Sequence, residues 1–364
     1  MEFVLSELCE QVVTARAGQR PLLIRGGGTR LFYGGPLPAD DAATWLDLSA
    51  YQGVVGYEPS ELVLTARAGT PLAEVETLLA SQDQMLAFEP PRFGAAGTLG
   101  GCVASGLSGP RRMAAGPLAD FVLGTRLLSA DGNVLHFGGE VMKNVAGYDV
   151  SRLLAGSLGV LGALVEVSLK VAPRPPRETT CVLALDESAA LDLCLRWRSR
   201  PLPVSATAWV ADASGTSGKL FVRLSGNASA VLHGQEEIGG EQLPDADAAA
   251  FWLGLRDQTH AFFDQRPLWR IVLPAGAPAL GLGPVLHEWG GGLRWLAGSH
   301  DAAALRDRVR TLGGSACLYR REGAPEEVPT FHPLDNGVLQ IHRRLKREFD
   351  PAGIFNVHRL YPEL

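Results

Sequence analysis

The chain has 364 residues and is 46% hydrophobic, so it exceeds what one core usually organises and two domains are expected. A formal net charge of −6 without a lysine-rich tract argues against nucleic acid as a partner. Five cysteines without a Cys-x-x-Cys spacing argue against iron–sulfur ligation and a disulfide framework, and they suit the cytoplasm. The longest uncharged apolar run, 153–165, is too short and glycine-rich to span a bilayer, so we expect any membrane contact to go through a partner.

In the first half of the chain, the pattern predicts an amphipathic helix over 1–17 and strands over 22–25, 44–48 and 62–67. A helix should begin after Thr70 as N-cap, with Pro71 at its first position. A hairpin over 122–129 and 134–137 follows, turning at Asp131-Gly132-Asn133, and then a long strand over 161–171. Prolines at 173, 175 and 176 indicate a domain boundary.

The second half changes character and predicts two similar units. Strand 178–185, helix 187–199, strands 204–211 and 218–224 and helix 227–238 follow the order of a ferredoxin-like unit. A weaker succession consists of helix 246–264, strands 268–273 and 293–297, helix 301–313 and strand 315–320. Side by side, the two would form one antiparallel sheet with helices on one face. A last helix is predicted over 334–349.

Three glycine-rich loops, each attached to a strand, predict a nucleotide cofactor. Arg25–Arg30 places three glycines between basic residues, and successive backbone N–H groups in such a turn suit a pyrophosphate. Residues 94–106 are nearly all small, which indicates backbone lying against a flat, extended ligand, and 156–165 repeats glycine at every third position. The Gly-x-Gly-x-x-Gly motif fails at Leu31 and the Gly-x-x-x-x-Gly-Lys-Ser/Thr loop fails at Leu220, so a doubly wound sheet is not expected.

These loops resemble the FAD-binding domain of the vanillyl-alcohol oxidase / p-cresol methylhydroxylase (PCMH) superfamily. Longer segments extend the resemblance over essentially the whole chain, to the E-subunit family of bacterial glycolate oxidases: 57–72, 108–112, 120–126, 138–149, 268–271 and 349–356. The resemblance implies an α+β fold, with a PCMH-type FAD-binding domain of two α+β subdomains over 1–174. A ferredoxin-like antiparallel cap domain over 175–330 should follow, and then a C-terminal helix and tail over 331–364 that returns to the FAD domain.

The loops and the resemblance together predict how FAD is held. Thr29 stands where some superfamily relatives carry a histidine bonded to the flavin, so the FAD should be non-covalent. Asn356 is retained in a tail that lacks the proline and glycine of the relatives' Asn-Pro-Gly-Arg/Lys. Lys143, Asn144, Tyr148 and Asp149 cluster near the third loop, where Asp149 is equally well explained as a helix cap. The residues predicted to bind FAD are Arg25, Gly26, Gly27, Gly28, Thr29, Arg30, Pro91, Gly97, Thr98, Gly100, Gly101, Ala104, Gly159, Gly162, Val165 and Asn356.

No catalytic residue and no metal ligand is assigned. The His-x-Gly-Asp-Gly-Asn-x-His segment, with which related 2-hydroxyacid dehydrogenases bind a divalent metal and their substrate, is absent, and Gly298–Asp301 is better explained as the start of a helix. Arg270 and Arg294 are candidates for holding a substrate carboxylate, the alternative being arginines that extend along the sheet.

The resemblance implies a function within a complex. The chain would be the FAD-binding subunit of a multi-subunit glycolate dehydrogenase, assisting electron transfer as glycolate is oxidised to glyoxylate. Its partners would be a larger FAD-containing glycolate oxidase subunit and an iron–sulfur subunit, and the complex would act on a small 2-hydroxy acid. Two alternatives remain open: a self-sufficient FAD-dependent D-2-hydroxyacid dehydrogenase for D-lactate or glycolate, and a non-catalytic scaffold subunit that has lost FAD.

Overall fold

The computed structural model describes residues 1–38, 42–139, 148–212 and 217–364. They divide into two compact units, each of which is built from separate parts of the chain. The first unit comprises Met1–Leu107, Pro117–Pro173 and Pro333–Leu364, and the second comprises Ser108–Gly116 and Arg174–His332. Ser108–Gly116 therefore packs with the second unit, whereas the expected boundary at 174/175 has it in the first.

The part of the chain before the proline cluster alternates short helices with strands. Its helices are α1 (Glu2–Ala17), α2 (Leu72–Ala80), α3 (Leu99–Ser105), α4 (Arg112–Ala115) and α5 (Val150–Leu154). Its strands are β1 (Leu22–Arg25), β2 (Thr44–Asp47), β3 (Val54–Glu58), β4 (Val63–Arg67), β5 (Gln84–Met85), β6 (Val122–Leu128), β7 (Val134–Gly138), β8 (Ala163–Lys170) and β9 (Ala172–Pro173).

Two sheets organise the first unit, beside the short antiparallel pair of β5 and β9. Strands β1 and β2 pair in parallel, and Leu22 of β1 also forms a parallel bridge with Phe355 of the C-terminal tail. A five-stranded antiparallel sheet has the order β3-β4-β8-β6-β7. One hydrophobic core joins them, because Val12, Leu46 and Val165 belong to the same buried cluster. This mixed helix and strand content confirms the α+β prediction.

Several expectations for the first unit need correction. Helix α1 is where it was predicted, but it is not cleanly amphipathic, because Val13 is 50% exposed. Thr70 does not cap α2: the N-cap is Pro71, and the Thr70 hydroxyl instead accepts the Gly53 N–H at 2.8 Å. Part of the segment predicted as the second glycine-rich loop is the helix α3, because packing on β4 and β8 compensates for the low helix propensity of its glycines.

The second unit is built on a large sheet. Its strands are β10 (Arg177–Leu185), β11 (Val204–Ala211), β12 (Gly218–Gly226), β13 (Glu241–Leu243), β14 (Leu268–Val272), β15 (Val285–Glu288), β16 (Leu293–Ala297) and β17 (Ser315–Arg320). Its helices are α6 (Glu187–Trp197), α7 (Ala228–Ile238), α8 (Asp245–Arg256) and α9 (Ala302–Thr311), and α10 (Asn336–Phe349) follows in the first unit.

The strand order supports the ferredoxin-like prediction. The eight strands run β13-β10-β12-β11-β15-β16-β14-β17, and every pairing among them is antiparallel. The first four are the β-α-β-β-α-β unit in its usual order, and the last four are a second such unit joined to it through β11 and β15. In the second half, the segment that connects β14 with β15 contains no helix.

Helix α8 contradicts the prediction for 246–264. It ends at Arg256, and a separate 3₁₀ turn follows at Ala261–Asp264. It also packs on the first half of the sheet, where the Trp252 indole donates to the Thr180 hydroxyl at 2.9 Å. Phe251 stacks on Phe221, with ring centroids 3.9 Å apart, on the face opposite the core side chains Leu220 and Val222. The sheet therefore carries helices on both faces.

Candidate functional site

A cavity in the first unit lies where the three glycine-rich loops converge. It encloses about 850 Å³, including the part that is open to solvent, which is within the range of ligand pockets. Thirteen of the sixteen residues that the sequence predicted for FAD line it: Arg25, Gly26, Gly27, Gly28, Thr29, Arg30, Thr98, Gly100, Gly101, Ala104, Gly159, Gly162 and Asn356. Loops that are far apart in sequence thus form one concave surface.

The first loop presents backbone donors to this cavity. Among the described residues, no acceptor is found for the backbone N–H groups of Gly26, Gly27, Gly28 and Thr29. Gly28 has φ +69°, a conformation that glycine adopts without strain. Gly27 lies so close to Ala96 that a Cβ there would come within 1.6 Å of the Ala96 carbonyl oxygen. Four consecutive unpaired N–H groups on a cavity wall fit a phosphate or pyrophosphate anion.

Two arginines flank this loop and are held in place. Arg25 Nε donates to Asp47 Oδ2 at 2.8 Å, and its guanidinium lies 4.9 Å from the Trp45 ring. Burial opposes ionisation of Asp47, but hydrogen bonds from Ser49 and Arg25 outweigh it and lower the pKa of that carboxyl. Arg30 donates to the Pro91 carbonyl at 2.5 Å and lies 5.3 Å from the Phe93 ring. The mouth of the loop therefore carries fixed positive charge.

The second loop enters the site as the start of α3. The Thr98 hydroxyl accepts the Gly101 N–H at 3.3 Å and caps the helix. Gly100 donates its N–H to the Ala68 carbonyl at 2.8 Å, and a Cβ on it would meet Ala68 Cβ at 2.6 Å. Burial raises the pKa of the Cys102 thiol to about 12, so this cysteine is a neutral packing residue.

The third loop is fastened to β1 by the tail. Asn356 Oδ1 accepts the Ile24 N–H at 2.8 Å, and its Nδ2 donates to the Leu158 carbonyl at 2.5 Å. Gly159, at φ +74°, has no room for a side chain, because a Cβ would meet Asn356 Nδ2 at 2.8 Å. One N–H and the oxygen of the Asn356 amide are thus engaged by protein groups, and these two bonds position the cavity wall.

Lys346 of α10 binds to the third loop and to the tail, which form this wall. Its buried ammonium donates to the carbonyls of Val160 (2.8 Å) and Phe355 (2.7 Å) and to Asp350 Oδ2 (2.7 Å). Asp350 also accepts the N–H groups of Ile354 (3.1 Å) and Phe355 (2.8 Å). Burial lowers the pKa of Lys346, against the opposing effect of Asp350. The buried pair ties helix, tail and third loop into one network.

Three predicted residues do not line the cavity. The Pro91 carbonyl accepts from Arg30, and a Cβ on Gly97 would meet the Arg92 carbonyl oxygen at 2.3 Å, so both act in the packing of the loop. Val165 is completely buried in the core, and its carbonyl accepts the Ala68 N–H at 2.8 Å.

The cluster predicted near the third loop is only partly described. Lys143 and Asn144 lie outside the described residues. Tyr148 is 96% exposed, and the Asp149 carboxylate caps α5 by accepting the Arg152 N–H at 3.2 Å. The capping interpretation of Asp149 is therefore confirmed.

Sequence reasoning missed much of the apolar wall and one cation. Trp45, Leu158 and Tyr33 line the cavity, and so does Arg359. Arg359 donates to the carbonyls of Leu31 and Gly35, and burial lowers its pKa to about 10. Trp45 and Asp47 both lie on β2. Only the parallel pairing of β2 with β1 brings Trp45 beside the first loop, and the local sequence does not show that pairing. Arg359 matches the basic residue of the tail motif that the family resemblance implies, but its hydrogen bonds go to backbone carbonyl groups.

The two candidate carboxylate-binding arginines differ. Arg294 is buried and donates to the carbonyls of Gly291 (3.1 Å), Pro278 (2.5 Å) and Ala277 (2.5 Å), so it is a structural residue. Arg270 is partly exposed, with its guanidinium 5.5 Å from the Trp289 ring. Asp301 caps α9, as expected for the Gly298–Asp301 segment. In the described part of the chain, no group of three or more His, Cys, Asp or Glu is placed to hold a metal ion.

Comparison with known proteins identifies the family. Residues 5–138 match the family model described as FAD binding domain. The glycolate oxidase subunit GlcE of Escherichia coli (strain K12) is 42% identical over 359 residues, which are 98% of this chain and 97% of that protein. The chain belongs to the GlcE family. The cofactor of this FAD-binding family agrees with the anion-binding loop described above.

Other similarities are to a second glycolate oxidase subunit and to solved structures of the same fold. The glycolate oxidase subunit GlcD of Bacillus subtilis (strain 168) is 31% identical over 169 residues, or 46% of this chain and 35% of that protein. Two crystal forms of alkyldihydroxyacetonephosphate synthase superpose with TM-scores of 0.64 and 0.65 at 16% identity, over 96% of this chain and 73–74% of those chains. The PCMH-type fold prediction is confirmed. Among the described helices, none is long and apolar enough to cross a membrane.

Proposed function

We propose that this chain is the FAD-binding subunit of a multi-subunit glycolate dehydrogenase. The observation that carries the proposal is the row of four unpaired backbone N–H groups, Gly26–Thr29, on a cavity between three loops. The near full-length similarity to a glycolate oxidase subunit supports the reaction class. We take 1–174 as the FAD domain, 175–330 as the cap domain and 331–364 as the returning tail.

The loop residues are proposed to hold FAD in separate ways. The N–H groups of Gly26–Thr29 bind the pyrophosphate, while Arg25 and Arg30 add the favourable field of fixed cations. Thr98, Gly100 and Gly101 present the start of α3, and Gly159, Gly162 and Asn356 shape the opposite wall. Bound FAD supplies the acceptor for the two electrons of hydroxy acid oxidation. Because Thr29 cannot form a covalent flavin link and no histidine or cysteine is among the described lining residues, the FAD is non-covalent.

The cavity chemistry supports dependence on partners. Its described lining contains arginines, an asparagine and hydroxyl groups, but no carboxylate or imidazole that could take the proton of a substrate hydroxyl. A correctly placed base contributes about 10²–10⁴-fold to a rate. We therefore propose that a larger FAD-containing subunit provides the substrate site for a small 2-hydroxy acid and that an iron–sulfur subunit accepts electrons. The complex would be cytoplasmic, with any membrane contact made through these partners.

Steady-state dye reduction tests the proposal. The purified chain and the complex obtained by co-expression with the two partner subunits should be compared with glycolate and with D-lactate. We expect a yellow chain that is nearly inactive alone and an active complex. Turnover by the isolated chain at the rate of the complex would establish a self-sufficient dehydrogenase, and a colourless chain that still assembles would establish a scaffold subunit.

A further inference from the structure

The second unit has a large cavity with an unusual lining. It encloses about 1130 Å³, including space that is open to solvent, between α4, the end of α6 and the ends of β11 and β14. Three arginines line it, Arg112, Arg198 and Arg200, and no aspartate or glutamate is among its described lining residues. The chain as a whole has a net charge of −6, whereas all of the described charged residues that line this cavity are cations. Such a cavity focuses an attractive potential on anions.

Two of these arginines, Arg198 and Arg200, are at most partly neutralised by the described residues. Arg200 forms a surface ion pair with Glu237. Arg198 is exposed and makes no side-chain hydrogen bond or ion pair with any described residue. Structural arginines elsewhere in this unit behave differently: Arg306, for example, is buried and donates to the carbonyls of Ala316 and Pro329. The cavity thus keeps guanidinium donors that the protein itself does not use.

Two arginines lie against the ring of Trp289, which is part of the cavity wall. The guanidinium carbons of Arg112 and Arg270 lie 4.4 Å and 5.5 Å from its ring, although Arg270 is not itself a lining residue. The Arg270 side chain has no hydrogen bond or ion pair within the described ranges. Since both cations contact one indole, they are at most about 10 Å apart, close to the screening length of physiological salt. An anion between or beside them would relieve their repulsion.

The backbone of Trp289 is itself strained. Its φ is +56°, which is rare for a bulky residue, and its indole N–H is fixed by the Gly109 carbonyl at 3.0 Å. The neighbouring Gly290 N–H donates to the Thr207 hydroxyl at 2.7 Å, and Thr207 also lines the cavity. The indole is therefore held in one orientation by both its ring nitrogen and its backbone, as in a preformed binding wall.

We propose that this cavity binds a small organic anion that carries two negative charges on an apolar or aromatic body. The arginines would hold the charged group by charge-assisted hydrogen bonds, which are strongest when a guanidinium meets a carboxylate or phosphate. The apolar part of the lining, which includes Trp197, Leu202 and Val272, would cover the carbon skeleton. A single negative charge would leave the cavity net positive, so a dianion binds more tightly than a monoanion of the same shape.

Isothermal titration calorimetry on the full-length chain, saturated with FAD, tests this site. The probes are phthalate (a dicarboxylate), phenyl phosphate and, as the monoanion of similar shape, benzoate. We expect saturable binding of at least one dianion and at least about tenfold weaker binding of benzoate. Whichever dianion binds more tightly identifies carboxylate or phosphate as the charged group. Millimolar concentrations of both dianions without binding, or tighter binding of benzoate, would overturn the proposal.

Matched variants locate the binding. Arg198→Gln changes an exposed side chain, and Arg112→Gln removes the cation that stacks on Trp289; each should weaken dianion binding about tenfold and leave the flavin content unchanged. Arg310→Gln is the control, because Arg310 is an exposed arginine of the same unit that pairs with Asp307 outside the cavity. Equal weakening by Arg310→Gln, or undiminished binding in the Arg112→Gln/Arg198→Gln double variant, would place the anion elsewhere and refute the site. Flavin content is measured separately, so this result does not depend on the proposed role of FAD.

Discussion

Replacing Lys346 with methionine should destabilise the first unit more than any other single change on α10. The ammonium makes three hydrogen bonds, to Val160, Phe355 and Asp350, which match its three protons. Methionine fills a similar volume but leaves the Asp350 carboxylate, whose side chain is 0% exposed, without a counter-charge. Breaking one partner of a buried ion pair typically costs about 3–5 kcal/mol. For a unit of this size, that free energy corresponds to a fall in Tm of roughly 6–20 °C.

The assay is thermal unfolding of the flavin-loaded chain, followed by circular dichroism and by release of flavin fluorescence. Flavin release should shift with the unfolding transition, because the Val160 carbonyl is next to the cavity-lining Gly159. Arg347→Met is the matched control, since Arg347 is exposed on the same helix and its side chain bonds only to the Arg343 carbonyl, at 3.3 Å. The double variant Lys346→Met/Asp350→Asn should recover much of the loss, because no unpaired charge stays buried. A Lys346→Met protein as stable as Arg347→Met would refute the reasoning.

Three further predictions concern the cofactor and the second unit. Acid denaturation should release all of the flavin into the supernatant, and yellow colour retained in the protein pellet would contradict non-covalent binding at Thr29. Gly27→Val and Gly100→Val should abolish flavin binding, because a Cβ would meet the Ala96 oxygen at 1.6 Å or Ala68 Cβ at 2.6 Å; Gly56→Ala, with no atom within 4 Å of its Cβ, is the control that should bind normally. Burial lowers the pKa of His287, so the unfolded chain takes up this proton at higher pH than the folded chain. Stability to urea should therefore fall as the pH drops below about 6.5, and His287→Gln should reduce that dependence; an unchanged pH profile would show that another group is responsible.

The elements that the sequence predicted best are those whose pattern is local. Strands β16 and β17 begin and end where apolar and aromatic residues suggested, and the hairpin of β6 and β7 turns at Gly132 with φ +78°. Strand β15 was missed because Val285–Glu288 is short and follows a stretch rich in glycine and proline. Its place is fixed by pairing with β11 and β16, which no local pattern contains.

In the candidate site, too, some residues could be predicted from the local sequence and others are placed only by long-range packing. The first loop could be predicted because its glycines lie between arginines and because two further glycine-rich loops, each attached to a strand, follow it. Trp45 reaches the cavity because β2 pairs in parallel with β1, and glycine spacing does not show that the Val165 side chain faces the core. Arg294 looked like a ligand-binding cation on an apolar strand, but three backbone carbonyls surround it. Long-range packing decided each of these outcomes.

The C-terminal tail keeps its contacts with the cavity wall although its sequence differs from the motif that the family resemblance implies. The tail pattern that the family resemblance implies is Asn-Pro-Gly-Arg/Lys, and this chain has Asn356-Val357-His358-Arg359 there, without the proline and the glycine. The two retained residues act on backbone: Asn356 joins Ile24 to Leu158, and Arg359 holds the carbonyls of Leu31 and Gly35. The Asn356 backbone, at φ +43°, has a conformation that asparagine adopts more readily than most residues. Because the tail works through these two side chains and one turn, residue 357 can vary while the cavity wall keeps its position. His358, at φ +63°, has a backbone conformation that glycine adopts without strain.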